Sequence, residues 1–232
     1  MKKCISLFGL LSLTLILICP RAEAAGGKYG AGVFFDRSMP ILGLGDRYSA
    51  SEKFGLIFEY NISSRTTLEW EYHRGGMDDG KIEDASFTWG VDGEKYLSPD
   101  ANSRFNLNSF LMNALVRIGA EPDGQGLQLR PYIAVGAGFY DYQDKISGLI
   151  YPGQRITPLD KELVINPRED EHTSIGANFG VGMTVMQGTF GLDLRARYHI
   201  IMGDIRSMEA WGLEKVFPMG LVDVRTAFKL YF

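Results

Sequence analysis

The sequence is poor in cysteine, in long apolar runs and in clustered basic charge, and each shortage closes off a class of protein. Its 232 residues include two cysteines, Cys4 and Cys19, both within the first 24 positions. The rest of the chain has no thiol, so no disulfide staples it and no cysteine-based metal site or nucleophile can be built. Beyond residue 20 no apolar run approaches the roughly 20 residues that a membrane-spanning helix needs. Any crossing of a bilayer therefore falls to strands. With 24 Lys+Arg against 28 Asp+Glu the net charge is −4, and no basic run occurs; nucleic acid is excluded as a partner because nothing supplies the positive footprint that phosphates require. The length fits one domain.

What is present begins with a leader. Lys2 and Lys3 form a basic start, Ile5 to Ile18 is an apolar stretch of signal-peptide size, and Ala22-Glu23-Ala24 is a small-x-small cleavage site. Residues 1–24 are read as a cleaved signal peptide and residues 25–232 as the mature domain. Loss of Lys2, Lys3, Arg21 and Glu23 leaves 21 basic and 27 acidic residues, a net charge of −6. A lipid anchor on Cys19 is disfavoured by Ile18 before it and Pro20 after it.

The mature sequence alternates with period two, the signature of strands. Val222, Val224, Thr226, Phe228, Leu230 and Phe232 alternate with Asp223, Arg225, Ala227, Lys229 and Tyr231. Segments at 190–200, 174–185 and 127–142 repeat the pattern, each with one apolar face and one small or polar face. Further strands are expected at about 29–36, 54–62, 66–74 and 105–118, where Leu111 and Leu115 break the polar face of the last. Connections alternate between short turns, at 63–65, 119–126 and 187–188, and long polar loops, at 37–53, 75–104, 143–173 and 201–219. An up-and-down meander puts the turns at one end and the loops at the other.

Alternation fits two barrels: a soluble one with an apolar interior, and a membrane one with an apolar exterior. A soluble barrel does not need strands of 10 to 12 residues, whereas a membrane barrel needs about that length together with an aromatic-bearing outer band. The leader, the loop asymmetry, the aromatics on the apolar face and the ending on Phe232 favour the membrane version.

The stretch Arg130-Pro131-Tyr132-Ile133-Ala134-Val135-Gly136-Ala137-Gly138-Phe139-Tyr140, the segment Ile175 to Gly182 and the ending Ala227-Phe228-Lys229-Leu230-Tyr231-Phe232 resemble the small OmpA-type, opacity-like outer-membrane β-barrels. The likeness spans essentially the whole mature chain. It implies an all-β, eight-stranded antiparallel transmembrane barrel in a Gram-negative outer membrane, with short periplasmic turns and long extracellular loops. It also implies that Phe228, Leu230 and Phe232 serve as a signal for the barrel-assembly machinery. The loops at 75–104 and 143–173 are longer than in the smallest members of that family.

On the inward face the pattern places Asp36, Glu59, Glu69, Glu71, Asp193 and Asp223 against Arg117, Arg130, Arg195, Arg197, Arg225 and Lys229. Eight strands leave an interior just wide enough for side chains, and buried charges persist there when paired. The expected interior is a charge-balanced plug; a functional reading would make Glu69, Glu71, Arg195 and Arg197 an ion path or a hydrolytic centre. His73 and His199 fall near the outer ends of inward faces, with Asp78 and Asp79 just beyond His73. A His/Asp pair at a rim could activate water. The barrel proteases, however, have ten strands, and neither histidine is followed by the Ser two residues on that a barrel lipid A deacylase would use.

The second long loop carries Asp78, Asp79, Glu83, Asp84, Asp92, Glu94 and Asp100 against Lys81 and Lys95, a local net of −5, without the spacing of a calcium loop. Phe87, Trp89 and Tyr96 lie among these acids as candidate contacts for an extracellular ligand or host surface, unless the loop packs on itself or folds over the barrel mouth. The sequence thus points to a non-catalytic, monomeric surface protein in contact with outer-membrane lipid and using no cofactor. The alternatives are a narrow channel, a rim-located lipid-modifying enzyme or protease, and a soluble periplasmic barrel.

Overall fold

The computed structural model describes residues 27–78, 80–119 and 126–232; the leader, Asp79 and most of the 119–126 turn lie outside them. The chain forms β1 (Tyr29–Ile41), β2 (Ser51–Asn61), β3 (Thr66–Asp78), β4 (Ser86–Thr88), β5 (Lys95–Leu97), β6 (Asn102–Arg117), β7 (Gln128–Ser147), β8 (Arg168–Gln187), β9 (Phe190–Ile201) and β10 (Met219–Tyr231). Eight of these close into an antiparallel barrel in the order β1-β10-β9-β8-β7-β6-β3-β2, while β4 and β5 form a separate hairpin. Every barrel strand pairs with its chain neighbour, and β1 pairs with β10 from Gly30↔Tyr231 to Ile41↔Gly220. Closure leaves the barrel itself no edge strand to template aggregation. Among the described residues no helix is long and apolar enough to cross a membrane.

Short turns join strands at one end; the β8–β9 turn needs only Gly188 and Thr189, with Gly188 at φ 61, a left-handed conformation glycine adopts freely. At the other end lie loops L1 (42–50), L2 (79–101), L3 (148–167) and L4 (202–218).

The outer wall carries an apolar band. Val33, Phe35, Leu56, Phe58, Phe110, Ile133, Val135, Ile175, Phe179, Val181, Val224 and Phe228 are all exposed. The row Tyr72↔Phe110↔Phe139↔Ile175 belongs to this band; two residues further toward the loops, the paired row is Arg74↔Asn108↔Asp141↔Thr173. Aromatics flank the turn end, where Tyr29 stacks on Phe58 at 6.2 Å and approaches Phe232 at 6.3 Å, and Phe58 meets Trp70 at 5.8 Å.

The strands run beyond the expected limits at the loop end: β3 continues to Asp78, β6 begins at Asn102, β7 continues to Ser147 and β8 begins at Arg168. The cause is a change of phase in the pattern. Beyond the band the wall residues turn polar, as with Asn106, Asp141 and Glu171, while the inward residues Met77, Phe105, Leu107, Tyr142 and Ile146 turn apolar and buried. Alternation persists, with its inside and outside exchanged.

Candidate functional site: a two-tier ion network beneath a loop cap

The lumen is lined by the alternate residues that face away from the apolar wall. Its inner tier, nearer the turns, centres on Lys229, which approaches Glu59 at 2.6 Å and both Glu69 and Asp193 at 3.3 Å. Arg195 donates to both oxygens of Glu69, at 2.7 and 2.8 Å. Tyr132 and Thr184 donate to Asp193 at 2.7 and 2.8 Å, and the Tyr132 oxygen accepts from Arg195 Nε at 2.7 Å. Glu59 and Glu69 stand directly opposite across β2 and β3, a like-charge pair that would repel were Lys229 not between them.

The outer tier centres on Glu71, which accepts from Arg225 at 2.5 Å, Arg197 at 2.7 Å, Arg195 at 2.9 Å and His73 Nε2 at 2.6 Å. Asp36 accepts from Arg225 Nε at 2.9 Å, Lys53 donates to Asp223 at 2.7 Å, and His199 Nε2 lies 2.9 Å from the same Asp223 oxygen. Tyr140 meets His199 Nδ1 at 2.8 Å, and the Arg225 guanidinium lies 3.8 Å from the centre of the Phe34 ring. β3 and β9 are four places apart in the eight-stranded ring, so the Arg195 and Arg197 bonds to Glu69 and Glu71 span its full width. The interior is bridged from wall to wall.

Glycines make room for this filling. A β-carbon at Gly182 would run into the Tyr132 ring, and one at Gly55 into the Phe34 ring beneath Arg225. The two aromatics lie across the lumen only because the facing positions carry no side chain.

Ten of the twelve charged residues expected on the inward face join these tiers. Arg117 instead holds the β2–β3 turn, donating to the Ser64 carbonyl at 2.6 Å and Asn61 Oδ1 at 3.0 Å, and Arg130 bonds Gln128 at the same end. Lys53, read from sequence as loop, is a buried member of the outer tier; its signal was the continued alternation Lys53, Gly55, Ile57, Glu59. Tyr132, Tyr140, Asn113 and Thr184 were likewise missed, because uncharged polar residues on an inward face carry no distinctive mark. His73 and His199 do not sit at an open rim: both are buried within the outer tier. The Asp78 side chain and Asp79 lie outside the described residues. Asp36, His73 and Asp223 bring potential metal-ligating atoms within 4.8 Å of one another.

Above the tiers the loops form a cap with its own core of Leu44, Met77, Phe105, Leu107, Ile146 and Met208 among others. Arg47 of L1 donates to the carbonyls of Arg206 and Glu214 in L4, both at 2.7 Å, and Lys81 of L2 reaches Gly45 of L1 at 2.6 Å. Burial lowers the pKa of Arg47 and raises that of Tyr48, which is raised further by the Asp144 carboxylate that accepts its hydroxyl proton. In L4 the Lys215 ammonium, 2.8 Å away, lowers the pKa of the half-buried Asp204 by hydrogen bonding and charge.

Phe87 and Trp89 are a correction to the expectation of exposed contact residues. They are 1% and 2% exposed, with the Trp89 indole donating to the Gln154 carbonyl of L3 at 2.8 Å and Phe87 edge-on to Trp211 of L4 at 6.0 Å. L2 closes over the mouth because two large rings among its acids gain more from burial than from water. Tyr96 is half-buried, its hydroxyl donating to Asp92 at 2.6 Å.

No family model and no curated protein matches the chain. Solved structures similar to it include Neisserial surface protein A, at 14% identity and TM-score 0.48 over 89% of this chain and 98% of that one. The outer membrane protein OprG from Pseudomonas aeruginosa is similar at 13% identity and TM-score 0.45, over 91% and 100%. The outer membrane protease OmpT from Escherichia coli is similar at 7% identity and TM-score 0.40, over 91% and 99%. A surface protein and a protease stand at comparable distance, so these likenesses decide nothing about activity.

Proposed function

We propose that the chain is an integral outer-membrane β-barrel of the surface-protein kind, monomeric and non-catalytic, that anchors a compact extracellular cap and contributes to envelope integrity, adhesion or recognition. The observation that carries this reading is the pairing of an apolar, aromatic-flanked exterior with a lumen cross-tied by ions. A water-soluble barrel would carry the reverse arrangement, because unpaired apolar wall costs free energy in water and internal charge gains nothing there. The OmpA-type assignment rests on the sequence resemblance quoted above. Phe228 and Leu230, on the outward face of the closing strand β10, and Phe232, just past its end, are the exposed side chains we assign to recognition by the assembly machinery.

The channel reading is disfavoured by Arg195–Glu69 and Arg197–Glu71 bonds that cross the whole lumen. The enzyme reading is disfavoured by the burial of His73 and His199, which leaves a substrate no approach. The test is to fractionate cells expressing the protein and run the outer-membrane fraction on gels with and without boiling. The expected result is a band in that fraction whose mobility changes on heating; recovery as a soluble, heat-insensitive band would overturn the proposal.

A further inference from the structure

We infer that Asp36, His73 and Asp223 form a binding site for one divalent transition-metal ion of the zinc type in the outer tier of the lumen. The inference rests on which ligand atoms are committed and which are not. His73 Nε2 lies 2.6 Å from Glu71, a carboxylate that can only accept, and 3.4 Å from Arg225 Nη2, which can only donate; the much shorter contact decides, so the proton sits on Nε2 and Nδ1 presents a lone pair. Nδ1 is fully buried, has no hydrogen-bond partner, and faces Asp36 Oδ2 at 3.7 Å. A lone pair opposite a carboxylate is repulsive, and 3.7 Å is too long for a proton to bridge. It is close to the about 3.4 Å that separates two ligands bound at about 2.1 Å to a tetrahedral ion. Asp223 Oδ1 is a second buried atom without a partner, and one ligand atom from each of the three residues lies within 4.8 Å of the others.

The supporting shell has the form that metal sites require. A histidine that binds a metal through one nitrogen donates the other N–H to a carboxylate, which fixes the ring and strengthens the ligand; Glu71 fills that role. Arg225 holds both oxygens of Asp36, Nε to Oδ1 at 2.9 Å and Nη2 to Oδ2 at 3.3 Å, and the longer bond leaves a second lone pair of Oδ2 for the ion; Lys53 holds Asp223 Oδ2 at 2.7 Å, which leaves Asp223 Oδ1 free. Arg197 Nη2 also stands 3.7 Å from Asp36 Oδ2, beyond hydrogen-bond length, so it borders the site without closing it. His199 Nε2 lies 2.9 Å from Asp223 Oδ2, the oxygen Lys53 also holds, so it borders the site. Six carboxylates and five ammonium or guanidinium groups make up the two tiers. They carry one excess negative charge without the ion and one positive with it. One imidazole and two carboxylates suit a borderline ion better than calcium or magnesium. Such an ion would tie β10 to β1 and β3, across the seam where the first and last barrel strands meet.

The test is to refold the full barrel with Zn²⁺ or Co²⁺, strip loose metal on a chelating resin and measure metal per chain. About one ion per chain is expected in the wild type, with a visible Co²⁺ absorption of low-coordinate form. His73→Ala and Asp223→Asn should lose it, while Glu59→Gln, in the inner tier, and His172→Ala, exposed beside Tyr142 at the loop end, should keep it. A heat-modifiable wild-type barrel that retains no metal would overturn the inference, as would retention unchanged in both His73→Ala and Asp223→Asn. If those variants do not fold, the imidazole ¹⁵N spectrum of the wild type decides. A His73 Nδ1 signal that shifts on metal addition supports the site, and one that stays protonated and unmoved refutes it.

Discussion

At the scale of single residues, the lumen shows how far a buried charge depends on its neighbours. Glu71 accepts hydrogen bonds from three guanidinium groups and a histidine. Glu71→Gln leaves Arg197 and Arg225 partly unpaired in a buried interior, a loss of about 3–5 kcal/mol for a broken buried pair. Denaturant unfolding in lipid vesicles should report that drop, whereas Arg37→Ala, which breaks an exposed 3.5 Å pair with Glu52, should move stability by less than about 1 kcal/mol. Gly182→Leu should destabilise by about 1–3 kcal/mol in the same assay, because its side chain competes with Tyr132 for space. Most of the tier residues were legible in the sequence, since a charge on the polar side of a period-two run has one place to go. Lys53 was not, because it lies past the last apolar wall residue of β2, where the outward pattern no longer marks the strand.

At the scale of elements, the change of phase along β6 and β7 separates what alternation could reveal from what it could not. Through the band, Phe110 and Met112 face out and Asn113 faces in; beyond it, Asn106 and Asn108 face out and Phe105 and Leu107 face in. A reading keyed to outward apolar residues stops at the band edge and assigns the rest to loop. The cap that these extensions support yields two expectations. Trp89→Ala removes the L2–L3 tie and should make trypsin cut faster at Lys81 and Lys95 in intact vesicles, with the barrel unharmed. Tyr48 supplies a pH dependence. Its folded pKa lies above the unfolded value of 10.0, so above that pH the unfolded cap releases a proton that the folded cap retains. Its contribution is therefore complete below pH 10 and declines above it by about 1.4 kcal/mol per pH unit. Cap opening followed by proteolysis across that range should steepen with pH in the wild type and lose that increment in Tyr48→Phe.

At the scale of the whole molecule, the ion tiers and the cap close the same lumen in series, so a planar bilayer containing the barrel should show no steady conductance above background. The central claim is that the wall facing outward faces lipid. The three tryptophans separate the possibilities: Trp70 lies on the band beside Phe58, whereas Trp89 is buried in the cap and Trp211 packs against the cap core. The most direct measurement is fluorescence quenching of a Trp89→Phe/Trp211→Phe barrel in vesicles of lipids brominated along their acyl chains. Trp70 is expected to be strongly quenched by the bromines and little affected by a water-soluble quencher. Quenching of Trp70 from the water with none from the acyl chains would contradict the membrane-facing wall and with it the orientation of the entire barrel.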